Sequence, residues 1–380
     1  MSEIQVGQIN STDGSTAITT GADGYVSFAK TQIGGRRNIA YNGAMNIWQR
    51  GTSADTATSG DYTCDRWQIA HLGLDGNVDW DQETASTPDG FGYALKISTD
   101  ASETSLDASD LLFVRQKFEG QDLQQLQKGT SGAKSLTVSF WAKSSVASTY
   151  TVELYDNDNT RSISKSYVIN TADTWEFKTV TFEGDTTGAL DSDNAFSLQA
   201  VFIIDAGSDY TSGTFSTAWQ AYSATERVYD TTGWLESTTP TFYITGVQLE
   251  VGPLASPFEH RSYGEELALC QRYYTKVTVD SANDSFGVGL CDAAGNATGD
   301  VFFPVTMRVA PTALEQTGTA SDYEIRKAGS TITCNVVPDY IRASQFQSTV
   351  SFNALGLTAG QAALIRAATT SAYLAWSAEL

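Results

Sequence analysis

Alternation of apolar and polar residues at period two is the feature that most restricts how this chain can fold. In SLTVSFWAK (135–143), Leu136, Val138 and Phe140 fall on one side, and Ser135, Thr137 and Ser139 on the other. In TYTVELYD (149–156), Tyr150, Val152 and Leu154 alternate with Thr151, Glu153 and Tyr155, and the DNDN stretch at 156–159 supplies a turn. TWEFKTVTFEG (174–184) repeats the pattern through Trp175, Phe177, Val180 and Phe182. A period of two places alternate side chains on opposite faces of a strand, whereas a helix needs a period near 3.6. AFSLQAVFIID and TFYITGVQLEVG add two further runs. Many short strands broken by Gly, Asn and Asp predict an all-β chain whose centre is a β-sandwich of jelly-roll type.

The ends differ from this centre. The opening IQVGQINSTDGSTAITTGADGYVSF has short alternating pieces but too few large apolar groups for a core of its own. Ile4, Val6, Ile9, Ile18, Val26 and Phe28 recur at regular intervals. A segment of that kind either meets a partner, a further copy or a docking protein, or remains a loose tail. PLASPFEHRS (253–262) carries two prolines and no strand pattern, which marks a boundary. Ser262 and Glu265 then have capping-box spacing ahead of EELALCQRYY, predicting a short helix over 265–274 with Leu267, Cys270 and Tyr274 on one face. A second β region follows over 275–380. Within it AALIRAA (362–368) fits a helical turn and a strand equally. The expected organisation is an N-terminal attachment segment (1–35), a jelly roll (36–258), a linker with a short helix (259–274) and a C-terminal β domain (275–380).

Charge narrows the function classes. Lys and Arg total 23 against 44 Asp and Glu, a net charge of −21. Binding to a phosphate backbone runs on clustered cations, so no nucleic acid partner is expected, and docking on an anionic membrane is opposed for the same reason. No apolar run reaches the length of a membrane span, so no membrane insertion is expected either. The opening MSEIQVGQINSTDGS lacks the basic and apolar regions of a secretory leader. That leads us to expect the four cysteines, Cys64, Cys270, Cys291 and Cys334, as buried thiols, and it makes the sequons at Asn10, Asn283 and Asn296 uninformative.

Chemical motifs are sparse. No nucleophile elbow, phosphate-binding loop or dinucleotide fingerprint occurs, so we expect neither an enzyme nor a cofactor. His71 and His260 are the only histidines and read as packing or surface groups. Cys and His show no zinc spacing, and no metal is expected. Asp75, Asn77, Asp79 and Asp81 alternate as oxygen ligands of a calcium loop do. They lack the Gly and Glu such a loop needs and read better as one solvated strand face. Glu176, Asp205 and Glu250 stand on predicted strands, and a glycosidase would need such a pair about 5–10 Å apart. The clearest ligand signal is aromatic. GTFSTAWQAYSATERVYDTTGWLE (213–236) sets Trp219, Tyr222, Tyr229 and Trp234 amid polar residues, a composition suited to stacking on sugar rings or to covering a sheet edge.

Several stretches together resemble a known group of proteins. The opening segment is similar to N-terminal adapter segments of tail fibres from marine and cyanobacterial phages. RRNIAYNGAMNIWQRGTS…YTCDRWQ (36–68) resembles a recurrent phage virion module that begins R-N-x-x-x-N-G-A-M and reaches D-R-W. FYITGVQLEVGPLASPFEHRSYGEELALCQRYY resembles the end of that module, and FFPVTMRVAPTAL with AYLAWSAEL the C-terminal domain that often accompanies it. The central part also resembles jelly-roll carbohydrate-binding modules of families 4 and 9, except that Thr245 and Gly246 stand where acids often hold a structural calcium.

The resemblance implies a virion protein assembled in the host cytoplasm. Its leading form is a trimeric tail fibre or receptor-binding appendage. Residues 1–35 would attach it to other virion proteins, tail or adapter, and a host surface glycan would be its ligand. An architectural head-decoration or tail-adapter protein without glycan binding is the alternative. A glycan depolymerase ranks below both, since repeats of a right-handed β-helix are missing.

Overall fold

The computed structural model describes residues 36–100 and 105–380, together with the backbone of three short strands before them. These are β1 (Gln8–Asn10), β2 (Thr16–Thr20) and β3 (Val26–Phe28), an antiparallel meander with Ile9 opposite Ile18 and Ile18 opposite Phe28. Ile4 and Val6 lie outside the described residues. The chain divides into two units, one comprising 1–46 and 51–260, the other 47–50 and 261–380. Among the described residues no helix is long and apolar enough to cross a membrane.

The first unit is a two-sheet sandwich of jelly-roll type. Its strands are β4 (Ser53–Ala54), β5 (Gln68–Leu72), β6 (Val78–Glu83), β7 (Ala94–Thr99), β8 (Leu111–Glu119) and β9 (Leu136–Ser144). They continue with β10 (Thr149–Asp156), β11 (Arg161–Val168), β12 (Glu176–Phe182), β13 (Phe196–Ala206), β14 (Gln220–Ala221) and β15 (Thr241–Val251). One sheet has the order β14-β11-β10-β13-β8-β5, the other β12-β9-β15-β7-β6-β4. The inward set is the one read from the alternation: Val138, Phe140, Tyr150, Val152 and Leu154 have no exposed surface. Phe140 meets Phe202 and Tyr167 edge-on, with centroids 5.0 Å and 4.9 Å away, the geometry that aromatic quadrupoles favour.

The R-N-x-x-x-N-G-A-M stretch is a latch onto the last strand. Asn38 donates from Nδ2 to the Val247 carbonyl (3.1 Å), and its Oδ1 accepts from the amides of Leu249 and Ala40. The Val247 amide donates to the Gly43 carbonyl at 2.9 Å. Asn42 donates to the Asp65 carbonyl, and the Trp67 indole donates back to the Asn42 carbonyl. Gln248, Glu250, Ser256 and Glu259 form the complementary half. Glu259 accepts from the amides of Arg37 and Asn38, while Gln248 and Ser256 both donate to Glu250. These polar residues are buried or nearly so, and each hydrogen bond spares a desolvated group its penalty.

The second unit begins with α2 (Tyr263–Gln271), which follows α1 (Ser208–Thr211) of the first. Ser262 and Glu265 close the expected capping box, so the helix starts two residues before the predicted 265. It also ends sooner, because Tyr274 opens the next strand rather than sharing a helix face with Cys270. The strands are β16 (Tyr274–Thr278), β17 (Ser285–Ala293), β18 (Asn296–Phe302), β19 (Glu315–Gln316) and β20 (Tyr323–Lys327). After them come β21 (Ser330–Thr333), β22 (Val336–Ala343), β23 (Gln347–Asn353), β24 (Ala362–Ala367) and β25 (Tyr373–Ser377). AALIRAA thus resolves to strand β24, with Ala363, Ile365 and Ala367 inward. Three strands (β16-β25-β19) and seven (β21-β20-β24-β17-β18-β23-β22) make its two sheets. Their core gathers Trp376, Tyr323, Phe352 and Met307. Residues 47–50 belong here: Gln49 bridges the Tyr274 carbonyl and the Lys276 amide, and the Arg50 guanidinium lies 3.6 Å from the Tyr274 ring centre. All four cysteines are buried thiols, and burial pushes Cys334 up to about 12.

Gly43 gives the latch its sharpest test. A Cβ there would sit 2.0 Å from the Val247 carbonyl oxygen, a backbone atom. Gly43→Ala is therefore expected to lower unfolding stability by about 1–3 kcal/mol through forced displacement. Denaturant titration against the wild-type chain measures it.

Candidate functional site

Each sheet of the sandwich buries one face, and the outer face of the β14-β11-β10-β13-β8-β5 sheet is where polar and aromatic groups converge. Strand register arranges that face in rows. Gln68, Arg115, Val201, Glu153 and Ser164 form one row. Lys117, Gln199, Tyr155, Ser162 and Gln220 form the next. Ala70, Phe113, Ile203 and Thr151 form a third, which is apolar.

The 207–236 segment closes the apolar part. Val228 and Tyr210 pack on Phe113, Val201 and Ile203 in a small core separate from the one between the sheets. Asp205 anchors the cover. Its Oδ1 accepts from the Thr231 hydroxyl (2.9 Å) and the Thr232 amide (2.8 Å), and its Oδ2 accepts from the Leu235 amide (3.0 Å). Arg227 pins the other end through three bonds to Glu153, at 3.0 Å, 3.2 Å and 2.6 Å. Burial would lower the Arg227 guanidinium, but the Glu153 carboxylate outweighs it and holds it above its ordinary value.

The four aromatic residues singled out from sequence therefore separate. Trp234 is wholly buried beside its Asp205-anchored turn, so it packs and presents no face to a ligand. Trp219 is half-buried, donates to the Glu183 carbonyl (2.7 Å) and covers the Lys128 ammonium at 5.2 Å. Tyr229 is exposed and meets Phe215 edge-on. Tyr222 is the one that joins the polar rows, with its ring 5.3 Å from Tyr155 and 5.6 Å from the Arg227 guanidinium.

Beyond the cover lies a strip that sequence reasoning missed, in which Arg115 and Lys117 stay partly exposed while Gln68, Gln199 and Glu153 are buried. Arg115 donates from Nε to Gln68 Oε1 (2.7 Å) and from Nη1 to Gln199 Oε1 (3.3 Å). Gln68 is fixed in turn by donating to the Gly60 carbonyl (2.6 Å). Burial lowers the Arg115 guanidinium, and among the described residues no carboxylate forms a salt bridge with it. The Phe113 ring centre lies 5.4 Å from the Arg115 guanidinium, Tyr155 and Tyr222 meet edge-on at the next row, and Lys117 stands 5.3 Å from the Phe196 ring. A guanidinium with free donor capacity beside rings can hydrogen-bond sugar hydroxyls and stack on the apolar side of the ring. The signal was present in LLFVRQKFE (111–119), where Phe113, Arg115 and Lys117 share the outward parity.

Groups weighed for other chemistry are occupied in the fold. Glu250 belongs to the latch and Asp205 to the loop anchor. Burial would raise the Glu176 carboxyl, but donors from Lys178, Thr171 and Asn170 hold it at about 2. Asp156 of the DNDN turn meets Lys128, whose Nζ also contacts Asp185 (3.0 Å) and the carbonyls of Thr187 (3.0 Å) and Gly188 (2.8 Å). An ammonium thus fills that oxygen cage. Asp79 and Asp81 share one face of β6, as a solvated strand requires, and Asp81 pairs with Lys96 at 2.9 Å. Thr245 donates to the Tyr93 carbonyl, and Gly246, at φ +62°, seats a bulge in β15. His71 bonds the Ala57 carbonyl, and His260 packs on Phe258 and Phe91.

No protein-family model matches the chain, and no curated protein matches it. Solved structures with some likeness include a phage tailspike and carbohydrate-binding modules. The enzymatically active domain of bacteriophage CBA120 tailspike protein 4 is 12% identical over 56% of this chain and 21% of its own, with a TM-score of 0.30. A family 4 carbohydrate-binding module is 15% identical over 55% of this chain and 97% of its own, with a TM-score of 0.30. The family 11 module of the Clostridium thermocellum cellulase Lic26A-Cel5E is 14% identical over 54% of this chain and 100% of its own, with a TM-score of 0.27. At such scores any function has to rest on the residues themselves.

Removing the loop anchor separates cover from core. Asp205→Ala is expected to cost about 3 kcal/mol, since it strands several buried donors of a charged acceptor. It should also expose Trp234, read as a red-shifted tryptophan emission while the far-ultraviolet β signal persists.

Proposed function

We propose that this chain is a phage virion protein, a trimeric tail fibre or receptor-binding appendage, that recognises a host surface glycan through the open strip on its first sheet. The observation that carries the reading is Arg115. It is a partly buried guanidinium held between Gln68 and Gln199 beside the Phe113 ring, at the edge of the cover, and it keeps exposed surface where its two amide partners are buried. Such an arrangement keeps its donors aimed before a ligand arrives, so little is lost to ordering on binding. The resemblance of residues 36–68 and 242–274 to a phage virion module supports the rest of the proposal.

Assembly has its own support. On the seven-stranded sheet of the second unit, Val288 (67% exposed) stands opposite Leu364, and Leu290 follows on the same face. Exposed aliphatic side chains on a regular sheet suit burial against another copy. Several weak sugar sites on one trimer would add avidity without any new contact. Residues 1–35 would attach the chain to other virion proteins, with Ile9, Ile18, Val26 and Phe28 on the three N-terminal strands.

Two experiments test this. Arg115→Ala should weaken binding to surface polysaccharide from a susceptible host about tenfold or more, while Arg115→Lys retains part of it. Equal binding by wild type and Arg115→Ala in titration calorimetry would remove the strip from the account. Deleting 1–35 should leave both units folded yet abolish incorporation into particles, scored by immunoblot of purified virions.

A further inference from the structure

The outer face of the other sheet, β12-β9-β15-β7-β6-β4, is built differently from an ordinary solvent-facing sheet. Phe177 and Trp141 are cross-strand partners with ring centres 5.5 Å apart, and Phe177 is 49% exposed. Two residues along β9, Lys143 pairs with Tyr243, whose ring lies 6.0 Å from Trp175. Lys143 keeps only 8% of its surface. Its Nζ is 4.0 Å from the Tyr243 ring centre and 5.2 Å from that of Trp175, and it donates to Ser86 Oγ at 3.3 Å. Among the described residues it forms no salt bridge. A desolvated ammonium without a counter-ion is costly unless something else completes its shell.

The bulge in β15 makes room for the rings. A Cβ at Gly246 would lie 2.7 Å from the Phe91 ring and 3.1 Å from Trp141, so both rings settle over a position that only glycine leaves open. The same face continues in Thr179, Lys96 and the acids Asp79, Asp81 and Glu83 of β6, with Ser139 and Thr245 buried beneath, and among the described residues of these strands it carries no Leu, Ile, Val or Met. Rings set among hydroxyls and ammonium groups, without aliphatic side chains, match the alternating apolar and hydroxyl-bearing surfaces of a sugar chain. The exposed aliphatics of the second unit's sheet have the other composition, that of a protein contact. The ligand's charge also follows. Glu83 and Asp173 act on Lys143 through their negative charge, and the whole chain carries −21, so a polyanion would be repelled.

We propose that this face is a second glycan-binding surface. It lays a neutral polysaccharide flat across Phe177 and Trp141, with Lys143 Nζ and the Tyr243 hydroxyl donating to its hydroxyls. Neighbouring outward positions along a strand are about 6.6–6.8 Å apart. That spacing lets one sugar stack on Trp141 while its edge reaches Lys143.

Affinity gel electrophoresis of the full chain tests it, with hydroxyethyl cellulose, laminarin, arabinoxylan or galactan in the gel and polygalacturonate as the anionic comparison. Wild type should be retarded by at least one neutral polymer and not by polygalacturonate. The Trp141→Ala, Phe177→Ala double variant should bind that polymer about tenfold more weakly or worse, and Lys143→Met should weaken it as well. Should the double variant fail to fold, Phe177→Ser on the edge strand β12 replaces it. Arg115→Ala should leave this component in place. Absence of retardation by every neutral polymer, retardation by polygalacturonate that Trp141→Ala abolishes, or unchanged binding by the ring variants would each overturn the proposal. Loss of all binding in Arg115→Ala with Phe177→Ser unaffected would overturn it too, while leaving the first-sheet strip standing.

Discussion

A strand has two faces, and a sandwich of two sheets can bury only one face of each. Everything distinctive about the first unit follows from how its two outer faces are finished. On the first sheet, the apolar row of Phe113, Ile203 and Ala70 cannot be left to water, and the 207–236 segment is drawn over it. Asp205 and the Arg227–Glu153 pair hold that cover in place. The cover stops at the guanidinium–amide row, where Arg115 stays partly exposed beside its buried amide partners. On the second sheet the 84–93 loop reaches the outer face, with Phe91 over Gly246 beside Trp141 and Ser86 bonded by Lys143 and Trp175, while Phe177 stays exposed.

Buried polar groups set the limits of this plan. The latch between Asn38, Gly43 and the 247–259 stretch satisfies its donors and acceptors within the protein, and so fixes the first residues of the module against its last strand. Lys128 does similar work where Asp156, Asp185 and two carbonyls converge. Charged groups buried in this way specify position more than they add stability. The two elements that make the sequence resemble a virion module, N-x-x-x-N-G and Q-L-E-V-G, are therefore structural in role. The proposed ligand surfaces lie on strands that carry no recognisable motif.

That division explains what could be read from sequence. Alternation in 135–156 marks the strands and their inward residues, because a period of two has one structural meaning; in 174–184 it marks the strand, but only Val180 and Phe182 turn inward while Phe177 lies on the outer face. The capping box at Ser262 locates a helix start because its chemistry is local. Tyr222 and Trp234, twelve positions apart on one aromatic segment, look alike in sequence yet end on the strip and in the core. What separates them is a carboxylate on another strand, Asp205, which pulls in the turn holding Trp234. Arg115, Gln68 and Gln199 come together only through register between β5, β8 and β13, which no local pattern encodes. The ambiguity at 362–368 has the same origin. Ala363, Ile365 and Ala367 suit either structure until the neighbouring strands β17 and β20 recruit them.

The central claim is that Arg115 and its two amide partners contact the glycan directly. Side-chain resonances report on this most closely: Arg Nε–Hε and Gln Nε2 signals of labelled protein, followed during titration with host surface oligosaccharide. The account predicts saturable shifts of Arg115, Gln68 and Gln199 together, with Arg161 and Arg308 unmoved. Saturable binding that leaves Arg115 and both amides unshifted would contradict it.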